Sequence, residues 1–399
     1  MNVKQWVTIP EVLFFQEGPG VRNNQYTEKG IKLLNVANLV DGKIDLTTSN
    51  RYISESEAYG KYKHFLCDDG DFIVASSGIK VEYINKKMGF VTKSMLPLCM
   101  NTSTIRFKVL DKNRLDIKYF MYYLKSQNFK NQLYKYITGS AQLNFGPSHL
   151  KKISFPLCDI GEQRIIVNNM DLIAKIIDSY NEQLEKYDEL IKARFIEMFG
   201  DPIVNEKGWR TKPLLDMGQC KNGMNFHYDD KGIEINCLGV GDFKNFSVID
   251  NTESLPTVSL NEMPSEEYLL KDGDIVFVRS NGNKALVGRS LVVYPGNVPT
   301  TFSGFCIRYR KYDNEIIVPY LLRVLKTDSV RMKMAGRGAN IQNLNQQILG
   351  TLVIPVPPIE LQEQFADFVY QVDKSREEVK KSLEKTQQLY DSLMQEYFG

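Results

Sequence analysis

Apolar residues follow a seven-residue period in two long stretches of this chain, at 156–200 and at 355–399, which are related by a constant shift of 199 residues. In alternating steps of four and three, the first stretch gives Ile166, Met170, Ile173, Ile177, Tyr180, Leu184, Tyr187, Ile191, Arg194 and Met198. The same steps in the second give Phe365, Val369, Val372, Arg376, Val379, Leu383, Thr386, Tyr390, Leu393 and Tyr397. A period of 3.5 sustained over more than four heptads predicts two long helices that pack on each other as a left-handed pair. The alternative is two unrelated amphipathic helices, each lying on its own domain.

Both stretches also share their boundaries. Each opens with Pro-x-x-x-Ile-x-x-Gln, from Pro156 and from Pro355, and each closes on Glu-x-Phe-Gly, at Gly200 and at Gly399. Proline at the start and glycine at the stop are typical of helix ends. We therefore expect a central coiled-coil helix at 156–200 and a second at 355–399. The core of the pair is predicted to contain Ile166, Ile173, Ile177, Leu184, Ile191, Val372, Val379, Leu383 and Leu393.

The segments between the helices form a looser repeat, which predicts two tandem domains at 1–155 and 201–354. Trp6-x-Thr-x-Pro returns at Trp209, and a Gly-Asp-aliphatic run with Asp71 returns with Asp274. Short β-type runs are separated by turns, and one helical stretch comes late in each segment, at 115–136 and 319–334. This favours an α+β fold, mostly antiparallel β with a few helices. The strongest strand signals lie at 31–38, 72–76, 104–109, 275–279, 291–294 and 305–309.

Connectivity adds a geometric expectation. The first helix leaves the first domain and reaches the second, and the second helix starts at the second domain. If the two stripes bury against each other, the helices must run antiparallel. The domains then lie at opposite ends and are related by a pseudo-twofold axis. About 40 residues of helix at a rise of 1.5 Å give roughly 60 Å. That length exceeds one turn of B-DNA, which is about 35 Å.

Composition and charge narrow the class of protein. The 399 residues are 43% hydrophobic, without a signal-peptide pattern or a membrane-spanning run, and the six cysteines form no Cys-x-x-Cys pair. We expect a cytoplasmic protein with reduced thiols and no metal site. Residues 1–155 carry 22 Lys/Arg against 13 Asp/Glu, residues 201–354 carry 18 against 17, and the helical stretches are acidic. Positive charge in the domains suits contact with phosphate.

No catalytic motif emerges from the chain. The run 282–290 has one residue too many between its glycines for a phosphate-binding loop and has arginine where lysine is needed. No glycine-rich turn for a nucleoside cofactor and no Asn-Pro-Pro-aromatic run is present. Asp71 and Asp274 each precede a strand, so a turn is favoured there over a metal-binding carboxylate.

Polar clusters beside glycines, in contrast, occur in both domains. Arginine pairs with guanine and Asn or Gln with adenine in the major groove, whereas Lys and Ser suit the backbone. Each side chain taken alone is more typical of a solvated loop than of a DNA contact, and the clustering beside glycines in both domains is what supports the interpretation. The predicted DNA-binding residues are Arg22, Asn23, Asn24, Gln25, Ser77, Lys80, Gln142 and Asn144 in the first domain, and Asn225, His227, Arg279, Asn281, Asn283, Lys284, Arg337, Asn340 and Gln342 in the second.

With its duplicated helix boundaries, its Gly-Asp-aliphatic strands and the run Glu17-Gly-Pro-Gly-Val-Arg22, the chain resembles the specificity subunits of type I restriction-modification enzymes. The resemblance implies a non-catalytic subunit whose two domains each read one half of an asymmetric bipartite target in double-stranded DNA. It also implies that the helix pair sets the gap between the halves and docks two methyltransferase subunits and, through them, the restriction subunits. No cofactor is expected on this chain, and S-adenosylmethionine, ATP and Mg²⁺ are expected on the partners.

Two other functions stay open from the residues alone. A single-chain DNA methyltransferase or nuclease would act without partners. A coiled-coil scaffold that does not bind DNA would show no sequence-dependent affinity.

Overall fold

The structure, a computed structural model, describes residues 5–136, 143–226, 232–244, 247–283, 285–335 and 343–399. The chain forms two compact units. Unit 1 comprises Met1–Asn181 and Ser382–Gly399, and unit 2 comprises Glu182–Lys381. Each unit therefore contains the end of one long helix and the beginning of the other.

Unit 1 is built around an antiparallel four-stranded sheet in the order β2-β11-β7-β9, beside a three-stranded sheet in the order β10-β3-β6 whose first pair is parallel. Two-stranded pairs β1-β13, β4-β5 and β8-β12 complete it. The strands are β1 Gln5–Thr8, β2 Leu13–Glu17, β3 Ile31–Leu34, β4 Leu39–Val40, β5 Lys43–Ile44, β6 Tyr52–Ile53, β7 Phe72–Ala75, β8 Ser77–Ile79, β9 Met88–Phe90, β10 Leu98–Met100, β11 Thr104–Val109, β12 Leu143–Asn144 and β13 Ser154–Leu157. The helices are α1 Ile9–Val12, α2 Glu55–Tyr59, α3 Ile117–Lys125, α4 Gln127–Tyr136, α5 Pro147–Leu150 and the start of α6 Ile160–Phe199.

Unit 2 repeats this plan with a five-stranded sheet in the order β15-β22-β19-β20-β17 and a three-stranded sheet in the order β18-β16-β21. Its strands are β14 Thr211–Pro213, β15 Gly218–Asn222, β16 Ile233–Leu238, β17 Val248–Ile249, β18 Thr257–Leu260, β19 Asp274–Val278, β20 Ser290–Val293, β21 Thr300–Phe302, β22 Cys306–Lys311 and β23 Val353–Pro355. Its helices are α7 Val318–Lys326, α8 Asp328–Ala335, α9 Gln346–Gly350 and the start of α10 Ile359–Phe398. The α+β expectation is confirmed, with parallel pairs β16-β21 and β17-β20 among antiparallel ones.

Each single helix expected late in a domain is two helices. The break falls at Ser126 between α3 and α4 and at Thr327 between α7 and α8, where the backbone is extended. Both residues follow a lysine, and both close the preceding helix by donating their backbone N–H to a carbonyl three residues back. A hydroxyl side chain that bonds nearby backbone groups offers the chain an alternative to continuing the helix.

The two long helices start four residues later than their prolines indicated. Pro156 lies in β13 opposite Trp6, and Pro355 lies in β23 opposite Thr211, so neither proline occupies a first helical turn. The start of α6 is capped instead by Asp159, whose Oδ1 accepts from the backbone of Gly161 and Glu162 at 3.0 Å. The glycine stops were placed correctly, since both helices end one residue before Gly200 and Gly399.

Within unit 2 the two helices run antiparallel. Arg376 bonds Asp188 at 2.5 Å, and further along the pair Phe365 packs against Phe195 and Phe199 with ring centroids 5.5 and 5.6 Å apart. All ten stripe positions of each helix are buried or half-buried. The nine predicted core residues are among these positions. Ile166, Ile173, Ile191 and Val372 are buried, and Ile177, Leu184, Val379, Leu383 and Leu393 are half-buried.

The repeated glutamines fix the start of each helix to its domain. Gln163 is fully buried, accepts from the backbone of Asp116 at 2.9 Å and donates to the carbonyls of Arg114 and Cys158. Gln362 forms the same three bonds in unit 2, to Ile317, Glu315 and Pro357. One amide side chain is suited to this position because it both donates and accepts.

The Glu-x-Phe-Gly ends are anchored by tyrosines. Phe398 lies 5.0 Å from Tyr119 in unit 1, and Phe199 lies 4.8 Å from Tyr320 in unit 2, measured between ring centroids. The hydroxyls of these tyrosines donate to the carbonyls of Pro156 and Pro355. Each unit thus holds the first residues of one long helix and the last residues of the other at the same place.

Candidate nucleic-acid interface

In unit 1 the predicted DNA-binding segments meet at one edge of the four-stranded sheet. Strands β2 and β7 end at this edge, and β11, which lies between them in antiparallel register, starts there. The loop that contains Arg22 follows β2, and Ser77 and Lys80 follow β7. Backbone bonds from Gly18 to Thr104 and from Ser76 to Ser103, both 2.8 Å, hold these loops against the start of β11.

The segment that precedes α5 reaches the same edge from far along the chain. In the β8-β12 pair, Asn144 lies opposite Ser77, and the N–H of Phe145 donates to the carbonyl of Ser76 at 2.9 Å. Arg22, Asn23, Asn24 and Lys80 are exposed, whereas Ser77 is half-buried. The structure therefore brings three predicted segments of unit 1 together. Gln142 lies outside the described residues.

Gln25 differs from its neighbours because both ends of its amide are bonded within the domain. Its Nε2 donates to Glu57 at 2.7 Å and to the Tyr62 hydroxyl at 3.0 Å, and its Oε1 accepts from the backbone of Arg22 at 3.1 Å. These bonds shape the short 3-10 turn at Asn23–Gln25 and leave the two asparagines on its outer side. Gln25 therefore supports the loop that presents Asn23 and Asn24.

Unit 2 repeats this convergence. Strands β15 and β19 end at the edge where β22 starts, so the loops with Asn225 and with 279–283 are neighbours. The side chain of Asn225 approaches the backbone of Gly304 closely. A Cβ added at Gly304 would lie 2.2 Å from the side-chain oxygen of Asn225, so a larger residue would not fit there. The backbone N–H of Leu344 donates to the carbonyl of Arg279 at 2.8 Å, as Phe145 does to Ser76 in unit 1.

The polar loop after β19 is rigidified by its own asparagines. Asn281 accepts from the backbone of Asn283 at 2.7 Å, and Asn283 accepts from Ala285 at 3.1 Å. Each side-chain oxygen is thus bonded locally, while the amide N–H groups form no bond to other described residues. Arg279 is half-buried and donates weakly, at 3.5 Å, to the carbonyl of Gly304. His227, Lys284, Arg337, Asn340 and Gln342 lie outside the described residues.

An exposed aromatic residue at this edge was missed in the sequence. Phe305 is 61% exposed and, with Val240, Ser280, Asn281 and Gly282, lines an open hollow of about 430 Å³. Its carbonyl accepts from the backbone of Arg279 at 2.8 Å. In the sequence it is the first residue of the strand signal at 305–309, whereas in the structure β22 begins at Cys306 and Phe305 lies exposed just before it.

The acidic residues before the central strands are structural. Asp71 is buried, accepts from the backbone of Asp68 at 2.8 Å and pairs with Arg106 at 3.2 Å. Asp274 accepts from the backbone of Lys271 at 2.7 Å and pairs with both donors of Arg310 at 2.7 and 2.8 Å. The turn interpretation therefore accounts for both. Within the described ranges, no three His, Cys, Asp or Glu side chains are grouped to hold a metal ion.

The thiols are correspondingly unreactive. Burial raises the pKa of Cys67, Cys99, Cys220 and Cys237 to about 12, so these groups stay protonated at neutral pH. A nucleophilic thiol needs a lowered pKa instead.

Among the described segments no helix is apolar enough over its length to span a membrane.

Comparison with known proteins identifies the family. The sequence profile of the type I restriction modification DNA specificity domain matches residues 21–187 and 206–388. The chain belongs to this family. The StySPI specificity subunit of a type I restriction enzyme from Salmonella potsdam is 23% identical over 94% of this chain and 83% of its own length. The putative MjaX specificity subunit from Methanocaldococcus jannaschii is 22% identical over 93% of this chain and 88% of its own length.

Solved structures support the fold of this specificity-domain protein. The crystal structure of the type I S subunit from M. genitalium covers 100% of this chain and 97% of its own, with 18% identity and a TM-score of 0.53. A structure from work on complex assembly in the type I R-M system covers 100% of this chain and 98% of its own, with 15% identity and a TM-score of 0.60. The two family matches coincide with the two copies of the sheet edge described above.

Proposed function

We propose that this chain is the specificity subunit of a type I restriction-modification complex and that each of its two domains reads one half of an asymmetric bipartite DNA target. The observation that supports this is the convergence, in each unit separately, of three polar segments at one edge of the central sheet. A set of loops on a rigid sheet can present several side chains to base edges at once.

Roles follow from side-chain chemistry. Arg22 and Arg279 are suited to guanine, and the amides of Asn23, Asn24, Asn225, Asn281 and Asn283, with Asn144, to adenine. Ser77, Lys80 and Lys284 are suited to phosphate. His227, Gln142, Arg337, Asn340 and Gln342 stay in the proposed set on their sequence positions alone. Phe305 joins it as an apolar contact for a thymine methyl group.

The partners follow from the family. The chain docks two methyltransferase subunits on its helix pair and, through them, the restriction subunits. Methylation and cleavage belong to those subunits, which would bind S-adenosylmethionine, ATP and Mg²⁺. The complex acts on double-stranded DNA in the cytoplasm.

The test is co-expression with the cognate methyltransferase subunit, followed by methylation-sensitive sequencing of the host DNA. We expect one asymmetric motif with an unspecified gap. The triple variant R279A/N281A/N283A should relax one half of the motif, and N23A/N24A should relax the other, because a good bidentate contact provides about 1–3 kcal/mol of discrimination.

The matched control lies in unit 1, at the end of the four-stranded sheet opposite the loop with Asn23 and Asn24. K112A/N113A removes an exposed lysine and an exposed asparagine that follow β11 and should leave the motif unchanged. A single continuous palindrome, or relaxation of both halves by one loop variant, would contradict the assignment of one half-site to each domain. A scaffold without DNA recognition predicts no sequence-dependent binding in a competition assay at fixed salt.

A further inference from the structure

A half-open pocket of about 240 Å³ lies within unit 2, where α7 and strands β17 and β20 meet the long helices. Its apolar lining includes Ile191 and Val369 from the inner stripe of the helix pair. Tyr370, which is 66% exposed, and Val248, which is 42% exposed, also line it. Its charged residues are Asp188, Arg323, Lys326, Asp373 and Arg376.

The charges in this pocket are not balanced. Arg376 pairs with both carboxylates, at 2.5 Å with Asp188 and at 3.1 Å with Asp373. Arg323 and Lys326 have no hydrogen-bond or ion-pair partner among the described residues, and the Nε of Arg323 is fully buried without an acceptor. Burial lowers the pKa of Lys326 to about 8, and the positive charge of Arg323 lowers it further, because the charges of Asp188 and Asp373 offset these effects only in part.

The internal repeat shows which group is missing. Tyr119 and Tyr320 hold equivalent places, so Tyr122 of α3 corresponds to Arg323 of α7 and Lys125 corresponds to Lys326. In unit 1 a carboxylate from α6 fills this place. Asp171 accepts from Tyr122 and from Lys118 at 2.6 Å, and its charge also acts on Lys125.

Unit 2 has no carboxylate at the position that corresponds to Asp171, although Asp188 and Asp373 line the pocket. The 199-residue shift puts Tyr370 where unit 1 has Asp171, and the aromatic ring is largely exposed. Arg323 and Lys326 therefore present two donors to a pocket whose own acids are already bonded to Arg376. A buried cation is stabilised strongly by a carboxylate that reaches it.

We propose that this pocket receives an aspartate or glutamate side chain, flanked by an apolar residue, from the methyltransferase subunit. The assignment rests on the proposed function for the identity of the partner. Its volume is below the roughly 300–1,000 Å³ of typical small-molecule sites, so it suits one or two side chains of a docked protein. The apolar rim formed by Tyr370 and Val248 surrounds the acidic group and excludes water from the ion pair.

Unit 1 lacks the same requirement, since Asp171 already supplies its carboxylate. The two methyltransferase copies consequently bind through unequal contacts, and only one of them depends on these cations. Removing the cations should therefore affect one copy and spare the other.

The experiment titrates purified methyltransferase subunit into the full chain at fixed salt, with stoichiometry read by native mass spectrometry. Wild type should bind two copies. R323M/K326M should lose at least ten-fold in affinity for one copy, and the conservative K326R should retain it. K125M is the matched control in unit 1, where Asp171 keeps its bonds to Lys118 and Tyr122, and it should bind both copies normally. Thermal unfolding checks that each variant is folded.

Equal binding of both copies by R323M/K326M and by wild type would overturn the proposal while leaving the proposed function intact. Failure of the wild type to bind any methyltransferase would instead count against the proposed function. A second arm uses 4-phenylbutanoate and its neutral amide as probes. If only the carboxylate raises the unfolding temperature, only in wild type, and methyltransferase binding is unchanged in the variant, the pocket belongs to a free organic acid and the assigned partner is wrong.

Discussion

The central sheets of the two units carry an arginine at the same register position, and among the described residues only the arginine of unit 1 has an ion-pair partner. Arg106 lies opposite Ile73 in unit 1 and Arg308 lies opposite Val276 in unit 2, two residues after Asp71 and Asp274. Arg106 donates to Asp71, to Gln16 and to the carbonyls of His64 and Leu66. Arg308 is 2% exposed, yet its Nε and Nη1 have no acceptor among the described residues.

The difference has its origin two residues further along the strand. Unit 1 has Lys108 there, which shares Asp71 with Arg106. Unit 2 has Arg310, whose planar fork takes both oxygens of Asp274. Burial and the neighbouring Arg310 lower the pKa of Arg308. Arginine and lysine are therefore not interchangeable here, because a bidentate donor leaves no acceptor for its neighbour.

The junctions between domain and helix show the opposite behaviour. Gln163 and Gln362 form the same three bonds, and Phe398 and Phe199 pack on equivalent tyrosines. Duplication preserved the parts that attach helices to domains and allowed the interior charges to diverge. Four predictions test this contrast.

The largest effect is expected from the helix-end phenylalanines. F398A and F199A should each cost about 3–5 kcal/mol, because each removes a buried ring from the core of its unit. If the junctions are equivalent, both variants should lower the unfolding temperature by similar amounts in calorimetry. F398L and F199L, which keep most of the volume, serve as controls. A change in only one unit would show that the equivalence is geometric but not energetic.

The buried arginines should respond in opposite directions. R106M should destabilise unit 1 by about 3 kcal/mol, since carbonyls and Gln16 lose their donor, although Lys108 still pairs with Asp71. R308M should be neutral or stabilise unit 2 by about 1–3 kcal/mol, because it removes a buried charge whose Nε and Nη1 have no acceptor among the described residues. Denaturant unfolding of the two variants beside wild type measures both values. Destabilisation by R308M comparable to that of R106M would mean that Arg308 has an essential partner.

The glutamines at the helix starts should each contribute about 2 kcal/mol. Q163A and Q362A leave a buried backbone N–H and two carbonyls without their side-chain partner. Hydrogen exchange should show faster exchange at the N–H of Asp116 in the first variant and of Ile317 in the second. Q163E and Q362E retain the acceptor but place a buried carboxylate oxygen against two backbone carbonyls, so they should destabilise the chain at least as much as alanine. Unchanged protection at both amides would show that the glutamines do not stabilise the junctions.

The smallest effect is a pH dependence from Lys326. Its pKa is about 8 in the folded chain, below the ordinary lysine value of 10.5 that it regains on unfolding, so the unfolded chain binds more protons between these values. Stability should therefore rise with pH from about 8 to 10.5, by about 1 kcal/mol after allowance for its partial exposure. The difference between wild type and K326M isolates this contribution, and the variant should show a flatter profile. K333M at an exposed site is the control. Parallel profiles for wild type and K326M would mean that the amine is not desolvated.

Spacing along the chain was sufficient to establish the long helices, their shared inner stripe and the duplication. A heptad period is a local signal, and residues four and three apart share a helix face whatever the rest of the chain does. The strand 104–109 was likewise correct to the residue. Two local signals were misleading. Pro156 and Pro355 are strand residues and do not begin the long helices. The helical stretches at 115–136 and 319–334 are each interrupted, after Lys125 and after Lys326.

Which polar residues meet, in contrast, depends on the tertiary fold. Asn144 comes beside Ser77, and Leu344 beside Arg279, through strand pairing and backbone bonds between residues more than 60 positions apart. Tertiary contacts also give Gln25 internal partners and expose Phe305, and they leave Nε and Nη1 of Arg308 without an acceptor among the described residues. Contacts at such distances depend on sheet order and register, which no short-range pattern encodes. The heptad follows from spacing along one helix, whereas the composition of the interface follows from which strand ends share an edge.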